Sequence, residues 1–259
     1  MKERIDILLV ERRLVESRTK AQWLIRNGYA LVNGVEIRKP GKRIDNTCQI
    51  QLKAEFPYVS KGGIKLEAAL KEFSISVKDK VCADIGCSVG GFTDCLVKHG
   101  ALRVYAIDTA NDLLHPSLRC EKMKNQVIPV LGVDARFLTN LDELIDVCTV
   151  DLTFTSLKDV IPNIKNYLNP TGNIITLIKP LFETDFREEK KFQIIQDPQR
   201  LRNILLELIE WSIHNQIFPY GLTKSPILGK GGSIEFLVHF KIDMISHEFD
   251  HKKVIESVI

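Results

Sequence analysis

Two lysines and two carboxylates flank apolar runs of this sequence in a pattern that could support proton transfer. Asp151 follows Asp-Val-Cys-Thr-Val, and Lys179 follows Asn-Ile-Ile-Thr-Leu-Ile and precedes Pro180. A lysine at the end of a buried strand lies where desolvation favours the neutral amine that a general base requires. Lys65 and Glu235 complete the set. We therefore predict a catalytic group of two lysines and two carboxylates, with surface charges at loops as the alternative.

A glycine-rich turn within residues 81–94 predicts a small-molecule site. An apolar run ends at Gly86, and the pair Gly90-Gly91 opens a helical pattern. This Gly-x-x-x-Gly-Gly spacing differs from the Gly-x-Gly-x-x-Gly that holds a pyrophosphate. Asp108 ends the next apolar run, where a carboxylate can accept hydrogen bonds from ribose hydroxyls. A carboxylate placed to bind ribose, next to a glycine-rich turn without the pyrophosphate spacing, indicates S-adenosylmethionine. An ordinary turn without a ligand is the alternative.

Apolar runs and helical patterns alternate through most of the chain, which predicts a doubly wound α/β sheet with helices on both faces. The last two strands should form a hairpin at one edge. In such a sheet the ligand site lies outside the carboxyl ends of the strands. The predicted strands are 81–85, 103–107, 127–131, 146–150, 173–178, 217–222 and 235–241, and the predicted helices lie near 91–99, 156–167 and 197–214.

The first sixty residues carry a net charge of +5, whereas the remainder carries −2. Two short helices are predicted here, the second capped by Ser17, followed by a hairpin at Asn33-Gly34. Arg18 and Lys20 lie in the first turn of the second helix, where the helix dipole disfavours cations unless an anion binds there. This segment is therefore predicted to dock on a polyanion, or to be a solvated charged face.

The composition, 44% hydrophobic and 27% charged, predicts a soluble globular protein with a full core. No run of 18 apolar residues and no secretory signal is evident. The six cysteines lack a Cys-x-x-Cys pair, which predicts reduced thiols, a cytoplasmic location and no metal site.

The N-terminal segment resembles the RNA-binding module of ribosomal protein S-four. The resemblance rests on Arg4-x-Asp6, Ser17-Arg18-x-Lys20-Ala21, Gly28, Val32-Asn33-Gly34 and Pro40. It implies that the polyanion is RNA, gripped through its shape and backbone. The candidate RNA-binding residues are Arg4, Arg18, Lys20, Arg26, Lys39, Lys42 and Arg43.

The two lysines and two carboxylates resemble the Lys-Asp-Lys-Glu set of ribose 2′-O-methyltransferases of the FtsJ type, and the flanking blocks resemble the TlyA (hemolysin A) branch. These blocks include Tyr58-Val59-Ser60-Lys61-Gly62-Gly63-x-Lys65, Asp84-Ile85-Gly86-x-Ser88-x-Gly90-Gly91-Phe92, Asp151-x-x-Phe154-x-Ser156-Leu157, Lys179-Pro180-x-Phe182-Glu183 and Ser225-Pro226-Ile227-x-Gly229. The implied fold is a Rossmann-like methyltransferase sheet preceded by a small α+β RNA-binding domain. The expected boundaries are residues 1–53 for the RNA-binding domain, 54–60 for a linker, 61–242 for the methyltransferase domain and 243–259 for a tail.

The resemblance implies in-line methyl transfer from S-adenosylmethionine to a ribose 2′-hydroxyl of ribosomal RNA, with cytidine as the expected nucleotide. Lys179 would be the base, Asp151 and Lys65 would set its charge and orientation, and Glu235 would complete the hydrogen-bond set. The expected cofactor-binding residues are Asp84, Gly86, Ser88, Gly90, Gly91, Phe92, Asp108 and Asp134. Ribosomal subunits are the expected partners, without a membrane or a metal; the subunit modified and the oligomeric state stay open.

Several loops depart from the family pattern, including Cys87 and Val89 in the cofactor loop and residues 184–193 after Glu183. Three alternatives follow. A nucleobase amino-methyltransferase would carry prolines after Asp151, which this chain lacks. A pore-forming haemolysin would require a spanning segment. A non-catalytic ribosome-assembly factor would bind RNA without transferring a methyl group.

Overall fold

The computed structural model describes residues 1–184, 194–243 and 249–259. Residues 185–193, most of the segment that departs from the family pattern, lie outside the described residues, as do residues 244–248 of the expected tail. The chain divides into two compact units, Met1–Lys61 and Gly62–Ile259. The expected linker, 54–60, contains neither helix nor strand, and Phe56 packs edge-on against Trp23 of the first unit, with ring centroids 5.2 Å apart.

The N-terminal unit packs two short helices against small antiparallel sheets. The helices contribute an apolar face with Ile5, Leu8 and Leu9 from the first and Ala21 and Ile25 from the second, all buried in one cluster. One sheet pairs β1 with β4, and the other has the order β3-β2-β5. The elements are β1 (Lys2–Arg4), α1 (Ile5–Glu11), α2 (Arg18–Arg26), β2 (Ala30–Val32), β3 (Val35–Ile37), β4 (Arg43–Asp45) and β5 (Ile50–Leu52).

The predicted hairpin joins β2 to β3. Val32 pairs with Val35, and the two residues between them, Asn33 and Gly34, have φ angles of 49° and 79°. Positive φ at both central residues is the geometry of the tight turn that matches the twist of paired strands, and Asn-Gly adopts it at little cost. The hairpin predicted at Asn33-Gly34 is therefore confirmed by the backbone angles and the strand pairing.

The C-terminal unit is built on one seven-stranded sheet with the order β11-β12-β10-β9-β6-β7-β8. Strands β6 to β10 are parallel, β12 runs antiparallel to β10, and β11 runs antiparallel to β12 at the edge. Its elements are α3 (Gly62–Glu72), β6 (Val81–Ile85), α4 (Gly91–Lys98), β7 (Arg103–Asp108), β8 (Val127–Leu131), β9 (Ile145–Val150), α5 (Ile161–Ile164), β10 (Leu168–Ile178), α6 (Pro198–His214), β11 (Phe218–Lys224), β12 (Phe236–Lys241) and α7 (His251–Val258).

The order of the strands confirms the predicted α/β sheet and its edge hairpin. The chain runs outward from β6 through β7 to β8, then returns to β9 on the other side of β6. This reversal is the switch point at which open parallel sheets bind ligands. Helix α6 begins as predicted, because the Asp197 side chain accepts a hydrogen bond from the Arg200 amide at 2.7 Å and Pro198 occupies the first turn.

Two helical segments differ from the sequence prediction, and strand β10 begins five residues before its predicted start. The helix expected near 156–167 is reduced to a 3₁₀ turn (Leu157–Asp159) and the single turn α5, because amides here bond carbonyls three residues back, as in Tyr167 N to Ile164 O. No helix is predicted within residues 243–259, yet they contain α7. Ile255 of that helix is buried in the main core, so α7 packs onto the C-terminal unit.

Candidate active site

Asp151 and Lys179 meet at the carboxyl ends of two neighbouring strands. Asp151 follows β9, where its amide donates to the Ile85 carbonyl, and Lys179 follows β10. Their side chains form an ion pair with 2.6 Å between Lys179 Nζ and Asp151 Oδ1. Lys179 Nζ also donates to Thr153 Oγ1 at 3.0 Å. The side chains are 19% and 23% exposed, so the pair is accessible to a substrate yet largely shielded from water.

Lys65 and Glu235 form a second, buried pair. Lys65 lies in the first turns of α3, and Glu235 directly precedes β12. Lys65 Nζ is 2.5 Å from Glu235 Oε2, and the two side chains are only 5% and 4% exposed. Charges buried to this extent are tolerated only when they are paired. The other carboxylate oxygen, Oε1, faces Gly229, where an added Cβ would lie 2.0 Å away. A side chain at Gly229 would therefore displace Glu235.

Strand register brings the two pairs to the same end of the sheet. Ile178 of β10 pairs with Phe236 of β12, so the next positions along these strands are Lys179 and Glu235. Thr176 of β10 pairs with Val150 of β9, which places Asp151 at the same end. The four residues predicted from the sequence thus stand on α3 and on three adjacent strand ends.

The glycine-rich turn after β6 packs against the end of β9. Gly86 has a φ of 79°, and an added Cβ would lie 2.4 Å from the Asp151 carbonyl oxygen. Contacts this short do not occur for real side chains, so Gly86 is required both by its backbone angle and by this close approach. Gly90, with a φ of 91°, caps the start of α4. The turn therefore presents bare backbone next to Asp151.

Asp108 ties this turn to the end of β7. Its Oδ2 accepts a hydrogen bond from the Ser88 amide at 2.7 Å, and its Oδ1 accepts from the Ala110 amide at 2.8 Å. A carboxylate oxygen has more than one lone pair, so both oxygens retain capacity for a further donor. Asp108 is thus held in place as an acceptor at the predicted position.

Asp84 and Phe92 lie beneath the turn rather than on its surface. The Asp84 side chain is fully buried, and its two oxygens accept hydrogen bonds from the Thr93 and Thr149 hydroxyls at 2.6 Å and 3.0 Å. Burial raises the pKa of Asp84 to about 7, against the opposing effect of those two hydrogen bonds. Phe92 is 3% exposed and Gly91 is also buried. These three residues support the turn from inside the core.

Asp134 lies beyond the end of β8 in a bidentate ion pair. Arg136 Nη2 donates to Asp134 Oδ2 at 2.6 Å, and Arg136 Nε lies 3.1 Å from each carboxylate oxygen. Hydrogen bonding from Arg136 lowers the pKa of Asp134 below its ordinary value. Asp134 is thus an ionised acceptor already engaged by one cation.

The residues around the switch point fit S-adenosylmethionine. Asp108 and Asp134 supply carboxylates after two successive strands, which suits a ligand with ribose hydroxyls and an adenine amino group to donate. The turn from Gly86 to Gly90 supplies open backbone with positive φ at Gly86, Ser88 and Gly90. The donor and acceptor chemistry of the sequence-predicted residues is therefore consistent with this cofactor.

Three residues beside the Asp151–Lys179 pair, Phe154, Phe182 and Glu183, lie in the sequence blocks that resemble the family, but the sequence analysis predicts no role for them. Glu183, close to Lys179 in sequence, accepts hydrogen bonds from Ser156 Oγ at 2.7 Å and from the Leu157 amide at 3.0 Å, and burial raises its pKa. It joins the loop after β9 to the loop after β10. Phe154 has a φ of 66° and a 59% exposed side chain, and its ring lies 5.3 Å from that of Phe182.

The candidate RNA-binding residues of the N-terminal unit form two groups. Those nearest α1 and α2 have carboxylate partners: Arg4 and Arg18 bind Asp6, and Lys20 lies 2.5 Å from Glu16. These partners give Arg18 and Lys20 a reason to occupy the first turn of α2 without a bound anion. The second group, Arg26, Lys39, Lys42 and Arg43, is exposed. Lys39 and Lys42 line a groove of about 780 Å³ together with Glu36, Ile37, Arg38 and Gly41.

Features of other function classes are absent from the described residues. None of the helices described is both long and apolar enough to cross a bilayer. All six cysteines are unpaired thiols. The haemolysin alternative therefore gains no spanning helix from the part of the chain that the structure describes.

Comparison with known proteins identifies both units. A family model described as the FtsJ-like methyltransferase matches residues 58–242, and one described as the S4 domain matches residues 3–47. Hemolysin A of Brachyspira hyodysenteriae is 39% identical over 242 residues, covering 92% of this chain and 100% of that protein. The 16S/23S rRNA (cytidine-2′-O)-methyltransferase TlyA of Mycobacterium tuberculosis (strain ATCC 25618 / H37Rv) is 31% identical over 239 residues, covering 91% and 88%.

A solved structure from Streptococcus thermophilus, named as a candidate hemolysin, superposes with a TM-score of 0.71 at 33% identity, covering 99% of this chain and 95% of that one. Its agreement with this chain extends across both units. The chain therefore belongs to the FtsJ-like methyltransferase family, with an S4 domain ahead of its methyltransferase domain.

Proposed function

We propose that this protein transfers a methyl group from S-adenosylmethionine to the ribose 2′-hydroxyl of a cytidine in ribosomal RNA. The observation that carries the proposal is the Lys179–Asp151 ion pair at the switch point of the sheet, with the buried Lys65–Glu235 pair at the same end. The related TlyA protein of Mycobacterium tuberculosis is named for this reaction on 16S and 23S rRNA.

The cofactor would be held by the turn at Gly86, Ser88 and Gly90, by Asp108 on its ribose and by Asp134 on its adenine. When bound, S-adenosylmethionine supplies a methyl group already activated by the adjacent sulfonium. The protein's remaining work is therefore to align the hydroxyl and to remove its proton. Alignment of reactants can contribute about 7–11 kcal/mol to lowering a barrier.

Lys179 would accept the proton of the ribose hydroxyl on Nζ. The Lys179 ammonium would first release a proton to solvent, which reaches the partly exposed pair before the substrate docks. Asp151 would then balance the charge of the ammonium that forms when Lys179 takes up the hydroxyl proton. Its position, bonded through its own amide to Ile85, keeps it fixed during this change.

Lys65 and Glu235 would orient the target ribose. Because Lys65 is buried and paired, its charge is fixed in place rather than mobile on a flexible side chain. A fixed cation close to the hydroxyl stabilises the oxyanion character that develops as the proton leaves. The pair therefore complements the base by holding a charge in a fixed position.

The N-terminal unit would dock the enzyme on the ribosomal subunit through its exposed cations. Lys39 and Lys42 line a groove and are suited to phosphate contacts, which position an enzyme without reading sequence. Unpaired thiols and a ribosomal RNA substrate both support the proposal of a cytoplasmic reaction.

The test is transfer of labelled methyl from S-adenosylmethionine to purified 30S and 50S subunits, followed by digestion to nucleosides. We expect label in 2′-O-methylcytidine. Lys179→Ala should lower the rate about 10²–10⁴-fold, the usual contribution of a positioned base. Lys158→Ala is the matched control, because Lys158 lies on the neighbouring loop but pairs with Glu207 on α6. Absence of label with intact RNA binding would instead support an assembly factor.

A further inference from the structure

Thr153 is a second anchor for the lysine that we assign as the base. Its hydroxyl accepts a hydrogen bond from Lys179 Nζ at 3.0 Å, while Asp151 Oδ1 lies 2.6 Å from the same nitrogen. Thr153 is 26 residues from Lys179 in the chain, so the contact depends on the fold that brings the ends of β9 and β10 together.

The number of protons on an amine gives this second contact its importance. A neutral lysine amine carries two protons and one lone pair. With one proton donated to an acceptor, the second proton and the lone pair can still exchange between the two remaining positions on Nζ. Lys179 donates one proton to Thr153 Oγ1 at 3.0 Å, and the charged Asp151 Oδ1, 2.6 Å from Nζ in the ion pair, favours the second proton on its own side, so the lone pair is left one direction. Two oxygens close to Nζ are therefore the minimum that aims a lysine base.

We propose that Thr153 is a positioning residue that, together with Asp151, directs the Nζ lone pair of Lys179 toward the ribose hydroxyl. This inference rests on the proposed function of Lys179. In the step concerned, the hydroxyl O–H bond breaks, its proton binds the Nζ lone pair, and the electron pair stays on the ribose oxygen for methyl transfer.

The turn that carries Thr153 is held from both sides. The next residue, Phe154, has a φ of 66°, a conformation that costs energy for a bulky residue and persists only when surrounding contacts enforce it. Its ring packs on that of Phe182, whose amide donates to the Lys179 carbonyl at 2.8 Å. Glu183 then joins the same two loops through Ser156. Thr153 and Lys179 are thus fixed relative to one another before a substrate binds.

The experiment is steady-state methyl transfer to ribosomal subunits by Thr153→Val and Thr153→Ser. Valine keeps the branched shape and removes the hydroxyl, whereas serine restores it. We expect Thr153→Val to lower kcat about tenfold, as for loss of one hydrogen bond to a charged group, with KM unchanged. Thr153→Ser should restore kcat.

Thr171→Val is the matched control, because Thr171 is exposed in the first half of β10, away from its carboxyl end. Wild-type kcat in Thr153→Val, or a lower kcat that Thr153→Ser does not restore, would overturn the positioning role. Lys179→Ala separates this failure from failure of the proposed function. If Lys179→Ala is inactive while Thr153→Val is normal, only the role of Thr153 is lost; if Lys179→Ala is active, its role as base is lost.

Discussion

Among the described residues, each unit of the protein buries one aspartate completely, and the two are stabilised in opposite ways. Asp6 of the N-terminal unit accepts hydrogen bonds from the Arg4 and Arg18 guanidiniums and from the Gln22 amide. These donors, Arg4 foremost, hold the pKa of Asp6 well below its ordinary value, so it is ionised. Asp84 of the C-terminal unit accepts hydrogen bonds from the Thr93 and Thr149 hydroxyls and from the Thr93 backbone, and burial raises its pKa to about 7.

The comparison shows that burial alone does not decide the charge of a carboxylate; the charge of its donors does. Two arginines offset the cost of removing the ionised Asp6 carboxylate from water. Two threonines offset only part of the same cost for Asp84. Asp6 of α1 is therefore joined to α2 by its ion pair with Arg18. Asp84 supports the glycine-rich turn and takes up a proton near neutral pH.

The largest effect should come from Asp6→Asn. The change removes charge-assisted hydrogen bonds that are each worth about 1.5–3 kcal/mol, so we expect the N-terminal unit to lose about 3 kcal/mol of unfolding free energy. Urea unfolding followed by Trp23 fluorescence, in a Trp211→Phe background, measures this unit. Glu11→Gln, an exposed carboxylate of α1, is the control and should change stability by less than about 0.5 kcal/mol. Equal effects of the two changes would contradict the assignment.

A change of pH should distinguish Asp84 from Asp6. Because the folded-state pKa of Asp84 is raised, the folded protein holds a proton between about pH 4, its unfolded value, and about pH 7, so the C-terminal unit should lose stability as pH rises through this window. Asp84→Asn should flatten this dependence and be more stable than wild type at pH 8. Trp211 fluorescence in a Trp23→Phe background measures the unit, with Asp142→Asn as the exposed control. A pH-independent difference between Asp84→Asn and wild type would refute the raised pKa.

Asp6 titrates in the opposite direction. Its lowered pKa means that its contribution is present above the unfolded value near pH 4 and disappears as pH falls through the folded value. Acid should therefore destabilise the N-terminal unit of the wild type and have a smaller effect on Asp6→Asn.

The smallest effect should come from removing one of the arginines around Asp6. Arg18 is 56% exposed and lies 3.3 Å from Asp6, so Arg18→Ala should cost less than about 1 kcal/mol.

Lys42→Ala in the exposed groove should leave stability unchanged but lower the salt dependence of RNA binding by about one phosphate contact. Filter binding of RNA at several salt concentrations compares Lys42→Ala with Arg18→Ala. A larger change of the salt slope for Arg18→Ala would show that Arg18 contacts RNA as well as Asp6.

Much of the C-terminal sheet could be predicted from the sequence, because its parallel strands are continuous apolar runs whose identity does not depend on distant partners. Five of its strands match their predicted ranges to within one residue, as in β6 at Val81–Ile85. The positions of Asp151 and Lys179 at strand ends follow from the same pattern. The glycine turn was predictable too, since positive φ restricts the residue type.

The features that escaped prediction depend on contacts between distant residues. The helix expected near 156–167 ends early, and its N-terminal Leu157 amide is capped by Glu183 rather than by a local side chain alone. The pairing of Thr153 with Lys179 and the opposed surroundings of Asp6 and Asp84 likewise arise only when separate elements meet. Sequence therefore located the candidate catalytic residues, and the fold supplied their partners.

The hydrogen bond from the Leu157 amide to Glu183 offers a way to follow loop motion in solution. Its carboxylate accepts the Leu157 amide while its own residue belongs to the loop that carries Lys179. One backbone proton therefore senses two loops at once. If either loop swings away as RNA enters or leaves, the Leu157 amide loses its acceptor and becomes open to deuterium. The rate of hydrogen–deuterium exchange at the Leu157 amide would therefore measure how often the loops after β9 and β10 separate.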